Sequence, residues 1–476
     1  METQKTLRPF GFRDKLGYLF GDFGNDFTFI LSTSILMKFY TDVMGVSAGI
    51  VGLIMMLARF VDAVTDVTMG RICDATKPTA AGKFKPWMLR MCLPVAIASF
   101  LMYMPGLAGG FVATLPNGLR VFYLAFTYIL WGSFCYTGIN IPYGSMASAI
   151  SPEPSDRQSL STFRTMGGML AGMIIGMGLP AFAYDKVTSA GGEQLSVLNG
   201  AKVALVAAVF SVLAIVCYLL CYKLITERVP YQAEKKEKVS VGKMLASAVR
   251  NRALISIIVA SILMLLAQLT MQSMGSYIYP DYYGNAMGQT MSTLLMMVSM
   301  LIAAAIAKPL TARFGKAEVS VVSCLFAVVI CLITFVLRPA NMWVYVGLQA
   351  LNWLGLGIFS MVCWALITDV IDYSELKNGV REDGSVYAMY SFARKLGQAA
   401  AAGLAGLLLE LIGYNENALA QGIGQTQAVK DGIFNISTLV PALGFLLLAL
   451  VLWFWYPLHK KQVDANVAAL KEKHGR

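Results

Sequence analysis

Histidine is almost absent from this chain: there are two in 476 residues, His459 and His474, both in the C-terminal tail. A histidine proton relay inside a membrane is thereby excluded, and carboxylates must carry any such work. Cys-x-x-Cys pairs are missing as well. The eight cysteines (Cys73, Cys92, Cys135, Cys217, Cys221, Cys324, Cys331 and Cys363) lie in or beside apolar runs and read as packing residues in a reduced setting, not as disulfides or metal ligands. Charge is scarce, at 14% against about 25% in a soluble chain. The sequence holds no soluble domain of any size, no nucleophile motif and no metal-ligand spacing, so neither an enzyme nor a bound cofactor is expected. Residues 1 to 15 have no short apolar core with a cleavage site behind them, which argues against a removable signal peptide. The net charge of +11 is scattered over short loops, and no nucleic-acid partner is expected.

Long apolar runs are what the chain has in abundance: 57% of residues are hydrophobic and the mean hydropathy is +0.63. A segment needs about 20 apolar residues to cross the bilayer core. Such segments fall near residues 17–43, 47–71, 87–107, 119–148, 160–183, 200–223, 252–280, 289–311, 317–337, 341–372, 386–413 and 433–457. The expectation is an all-α polytopic membrane protein of twelve transmembrane helices, a multi-pass protein of a cell's inner membrane with lipid as its surroundings. With a cytoplasmic N-terminus, Lys5, Arg8, Arg13, Lys15, Lys77, Lys83, Lys85, Lys235, Lys236, Lys238, Lys243, Arg313, Lys316, Lys460 and Lys461 fall inside. Only Arg120, Lys186, Arg338 and Lys430 fall outside, so the positive-inside rule sets both termini in the cytoplasm. The polar stretch 226–251, with its Glu-Lys-Lys-Glu-Lys run, reads as a solvated linker. It divides an N-terminal half, 1–225, from a C-terminal half, 252–457, and a tail follows at 458–476. Gly82-Lys83-Phe84-Lys85-Pro86 between helices 2 and 3 is echoed by Arg313-Phe314-Gly315-Lys316 between helices 8 and 9. Two six-helix halves with such echoes are the arrangement of major-facilitator transporters, which place their sites near mid-membrane. Nothing points to an oligomer, and a functional monomer is expected.

Charges inside the spans are the candidate site. An Asp at the centre of a spanning helix costs roughly 2.5–3.5 kcal/mol, and such residues mark ion or substrate paths. Asp62 and Asp66 in helix 2 are spaced i, i+4 and share one helix face. With Thr65 they suit a hard cation or a proton; the plainer reading is an ion pair of Arg59 with Asp62. In helix 1, Asp22 reads as a cap at the helix start. Asp26, a turn deeper beside Asn25, reads as a cavity-facing acceptor for sugar hydroxyls. Helix 4 contributes Tyr136, Thr137 and Asn140 ahead of Pro142, which frees a backbone carbonyl. Arg164 in helix 5 has a donor fork for hydroxyls or a carboxylate, and pairing with an acid across the bundle is the alternative. Asp369, Asp372 and Arg381 read as a salt-bridged gate or loop anchor, and Trp364 on the same helix as a sugar contact. Ser391 and Lys395 in helix 11 complete the set, with Lys395 too deep to snorkel.

The stretches Gly-Asp-Phe-Gly-Asn-Asp-Phe (21–27), Tyr40-Thr41-Asp42-Val43, Ala58-Arg59 with Asp62-Ala63 and Asp66, Gly82-Lys83-Phe84-Lys85-Pro86-Trp87, and Asp369 with Asp372-Tyr373 resemble the glycoside–pentoside–hexuronide:cation symporter family. The similarity runs from about residue 11 to 457. It implies a major-facilitator fold and inward transport of a small glycoside, pentoside or hexuronide, driven by Na⁺, Li⁺ or H⁺. Carried over by position, Asp62, Asp66 and Thr137 match the cation site, and Asp26, Arg164 and Lys395 match sugar and coupling positions. Where melibiose permeases, members of that family, have a basic residue, an acid, a Trp and an Asn, this chain has Asn25, Asn140, Gly144 and Thr65. The helix 4 and helix 11 patterns look more like the xyloside and glucuronide branches. Thr65 in place of an amide leans toward H⁺ over Na⁺. A lipid-like solute, or a sensor that transports nothing, are the other readings.

Overall fold

The computed structural model describes residues 8–109, 111–189, 192, 194–229, 251–378, 383–418 and 423–473. Twelve long helices carry the chain: α1 (Phe12–Lys38), α2 (Ala48–Ala75), α3 (Lys85–Tyr103), α4 (Asn117–Ile150), α5 (Pro154–Ala183), α6 (Gly200–Leu224), α7 (Arg252–Tyr277), α8 (Met287–Phe314), α9 (Lys316–Leu337), α10 (Met342–Asn378), α11 (Asp383–Leu411) and α12 (Gln427–Leu450). A tail helix, α13 (Lys460–Lys473), follows. Among the described residues ten of these are long and apolar enough to cross a membrane. The two left out, α1 and α11, carry Asp22 and Asp26, and Arg394 and Lys395. The helix pattern anticipated from hydropathy is present, each limit lying within seven residues of the expected one.

One element departs from an all-α expectation. Between α5 and α6 lie two antiparallel strands, β1 (Tyr184–Thr188) and β2 (Gln194–Leu198), in register Tyr184 to Leu198 and Lys186 to Ser196. Asp185 at its base accepts from Asn199 Nδ2 at 2.7 Å and pairs with Lys202. Asn199 also caps α6 by accepting from the Lys202 amide.

The chain forms two compact units, one of residues 1–235 with 415–424, the other of residues 236–414 with 425–476. Segment 415–424 lies in the C-terminal part of the sequence yet groups with the first unit, where Glu416 accepts from the Ala48 amide at the start of α2 (3.0 Å). In the first unit α1 packs on α5 and α6, α3 on α4 and α6, and α2 on α4. In the second, α7 packs on α11 and α12, α9 on α10 and α12, and α8 on α10. Each of these five pairings of the first unit therefore recurs six helices later, which is the internal repeat hinted at by the loop echoes.

Small residues set the approach of α1 to α6. A Cβ on Gly17 would stand 2.9 Å from Leu224 Cβ, and one on Gly24 would stand 3.1 Å from Cys217 Cβ. In lipid, where helix association rests on close packing and not on apolar burial, such glycines let backbones meet. The large apolar side chains left exposed, among them Leu53, Leu57, Val64 and Val67 on α2, and Val322, Val329 and Val336 on α9, make the surface a bilayer would cover.

Candidate functional site

The polar interior of the first unit begins with the register between α2 and α4. Residues Leu130–Tyr136 form a π-helical turn within α4, a feature often found at functional sites. It carries Ser133 and, just after it, Thr137, which meet the two carboxylates of α2 in matching order. Ser133 Oγ donates to Asp62 Oδ1 at 2.5 Å and Thr137 Oγ1 donates to Asp66 Oδ1 at 2.8 Å. Thr137 Oγ1 also lies 3.2 Å from the Gly132 carbonyl. Gly132 lies beside the same acid: a Cβ there would stand in van der Waals contact with Asp62, 3.4 Å from Oδ1. Arg59 donates from Nη1 to Asp62 Oδ2 at 3.2 Å and lies over the rings of Phe29 and Tyr128. Both plain and functional readings of Asp62 thus meet in one residue: it is ion-paired, and it stands beside Asp66 against a wall of hydroxyls.

Thr65 sits on the same helix, between the two acids. Its hydroxyl lies 3.2 and 3.1 Å from the carbonyls of Val61 and Asp62, inside its own helix, so its proton is held there.

A second polar group lies on α1, α4 and α5. Asp22, expected as a helix-start cap, instead sits well inside α1 and accepts from Arg164 Nε at 2.9 Å. The reason is the helix itself, which begins at Phe12 and leaves the capping geometry to Gly11 and Asp14. Arg164 therefore takes the alternative weighed for it, an acid across the bundle, and its guanidinium lies 5.3 Å from the Tyr143 ring centre. Asp26 stands next to this pair: a Cβ on Gly168 of α5 would be 2.6 Å from Asp26 Oδ2 and 3.4 Å from Asp22 Oδ2, so a larger residue there would displace the Asp26 carboxylate. Asn25 donates to Asn140 Oδ1 at 3.4 Å and accepts from the Tyr218 hydroxyl at 3.0 Å. Tyr136 stacks on Phe29 with ring centres 5.5 Å apart. Phe29, which sequence reasoning did not single out, touches Tyr136 on one side and Arg59 on the other, and so joins the two polar groups. Ser133 was also missed; its spacing of four from Thr137 was the available signal.

In the second unit Asp369 pairs with Lys316 at the start of α9 (2.6 Å). Trp364 meets Tyr390 edge to face at 5.1 Å, and Arg394 lies over both rings. Asp372 and Lys395 are half-buried. Arg381 and the side chain of Ser391 lie outside the described residues. No cluster of three or more metal-ligating side chains occurs among the described residues.

A helical repeat, buried carboxylates and hydroxyl partners are what a solute carrier needs, and comparison decides which kind. Residues 17–460 match the family described as MFS/sugar transport protein. This chain belongs to that family, of the glycoside–pentoside–hexuronide:cation symporter type. It is 31% identical to the glucuronide carrier protein homolog of Escherichia coli (strain K12), over 97% of this chain and 96% of the relative. It is 30% identical to the isoprimeverose transporter of Lactiplantibacillus pentosus, over 97% of this chain and 92% of the relative. Among solved structures, a D-xylose-proton symporter matches with a TM-score of 0.60 over 94% of this chain and 98% of that one, at 13% identity. The fold is that of the major facilitators. This family member is a multi-pass membrane transporter, not an enzyme, and a cation-coupled symporter of sugars or glycosides.

Proposed function

We propose that this symporter imports a small glycoside, pentoside or hexuronide with a proton by alternating access, both termini lying in the cytoplasm. The coupling ion belongs at Asp62 and Asp66 with Thr65 and Thr137. The sugar belongs beside Asp26, Asn25, Tyr136, Asn140 and Arg164, with Trp364, Ser391 and Lys395 as the contribution of the second half. Arg59, Lys395, Asp369, Asp372 and Arg381 have coupling and gating duties. The observation that carries this reading is the pair of contacts Ser133–Asp62 and Thr137–Asp66, which sets two carboxylates of a spanning helix against hydroxyls, one aromatic ring away from the polar group on α1. Asn140 beside Asn25, with no third carboxylate there, supports acceptance of an anionic sugar as well as a neutral one. The relatives named for a glucuronide and for isoprimeverose support the same two substrate classes. A lipid-like solute would favour an apolar lining, and the Asp22–Arg164 pair beside Asp26 weighs against it.

The test is uptake into proteoliposomes of radiolabelled xylosides and glucuronides under separately imposed Na⁺ and H⁺ gradients. Accumulation driven by an inward H⁺ gradient is expected. Uptake indifferent to either gradient ends the symport reading.

A further inference from the structure

We propose that Ser133 determines the cation specificity of this symporter by holding Asp62 away from metal ions, an inference that rests on Asp62 and Asp66 being the coupling-ion site. The two hydroxyls facing α2 are not equivalent. Thr137 Oγ1 has two acceptors, Asp66 Oδ1 at 2.8 Å and the Gly132 carbonyl at 3.2 Å. Its one proton can turn to the carbonyl and leave an oxygen lone pair for a cation, while the hydrogen-bond count stays constant. Ser133 Oγ has a single acceptor among the described residues, Asp62 Oδ1 at 2.5 Å, and the residue is 1% exposed. Unlike Thr137, it makes no bond to a carbonyl of its own helix among the described residues, within the π-helical turn Leu130–Tyr136.

Asp62 is consequently engaged at both oxygens, Oδ1 by Ser133 and Oδ2 by Arg59. A metal ion seeking Oδ1 must face the positive end of the Ser133 O–H dipole or break that bond and strand the hydroxyl in a buried place. A proton needs a single oxygen of one carboxylate and so does not depend on Asp62 Oδ1. Ser133 is thus a positioning residue that excludes, and Thr137 a residue that adapts. Removing the Ser133 hydroxyl bares Oδ1 and turns the pair of carboxylates toward Na⁺ or Li⁺.

The experiment titrates purified full-length protein with NaCl or LiCl, against choline chloride at equal chloride, without sugar. The readout is the thermal midpoint, which rises with the ratio of ion concentration to dissociation constant. Ser133→Ala is expected to bind Na⁺ about tenfold tighter than the wild type, the scale by which ligand-orienting partners alter ion affinity. Ser133→Cys, a weak donor of similar size, falls between and serves if the alanine variant does not fold. Equal response in wild type and variants, or weaker binding in Ser133→Ala, overturns the proposal; the latter makes Ser133 a cation ligand. A Na⁺ response that survives in Ser133→Ala/Asp66→Asn overturns both the proposal and the site reading beneath it. Loss of gradient-driven uptake with the Na⁺ responses as expected fails the transport reading alone.

Discussion

Lys38 and Asp42 make a buried ion pair at 2.9 Å, with side chains 0% and 3% exposed, where α1 passes into a π-helical turn over Phe39–Val43. Thr41 donates to the same carboxylate at 2.8 Å. Breaking such a pair by deleting one partner costs about 3–5 kcal/mol, because the other charge stays buried. Asp42→Asn is therefore expected to lower the thermal midpoint sharply, and Lys38→Met/Asp42→Leu to recover much of the loss; a double variant no better than the single would show that other contacts hold Lys38. The i, i+4 spacing was in plain sight, yet in the sequence Asp42 served only as part of a resemblance. Asp62 and Asp66 were legible because two acids in a spanning helix have few bland explanations. Ser133 was not, because a serine in an apolar run has many, and only the π-helical turn tells which way it faces. Asp22 misled for a related reason: sequence shows the acid near a helix start but not the Arg164 across the bundle that claims it.

At the scale of elements, the loop before α3 is held by one side chain from beyond α6. Glu227 accepts the backbone amides of Lys83 (2.7 Å), Phe84 (2.9 Å) and Lys85 (2.6 Å), acting as an anion at a helix N-terminus. Gly82, at φ +121°, makes the turn that presents these amides, and its Cβ would stand 2.6 Å from the Glu227 carboxyl carbon. Hydrogen bonds to a charged group contribute about 1.5–3 kcal/mol each. Glu227→Ala should accordingly destabilise the protein measurably in thermal unfolding, and Gly82→Ala should do so through both strain and collision. Glu227→Gln keeps an acceptor oxygen and is expected to fall between wild type and Glu227→Ala; a glutamine variant as damaged as the alanine would assign the effect to charge alone. The spanning helices were readable because hydropathy over 20 residues averages out local detail. The hairpin β1–β2 was not, since five-residue strands carry little periodicity, and its anchor is the later cluster of Asp185, Asn199 and Lys202.

For the molecule as a whole, the helix pairings of the first unit recur in the second, but their chemistry does not. Carboxylate–hydroxyl contacts between α2 and α4 have no counterpart among the described bonds of α8 and α10, where Ser299 donates to the Ala350 carbonyl instead. With the ion proposed at Asp62 and Asp66 of the first half, the expected stoichiometry is one ion per sugar. Moving one elementary charge through 100 mV releases about 2.3 kcal/mol, enough for roughly 50-fold accumulation. A neutral xyloside entering with one proton carries that charge and should accumulate with the membrane potential. A glucuronide entering with one proton carries none, and its accumulation should follow the pH gradient while ignoring the potential. Asp66→Asn removes the carboxylate proposed to hold the ion and leaves the α1, α4 and α5 group intact. It is expected to abolish accumulation of both sugars while sugar–sugar exchange across the liposome persists. Accumulation that survives Asp66→Asn would place the ion elsewhere, and potential-driven glucuronide uptake in the wild type would require a second cation per cycle.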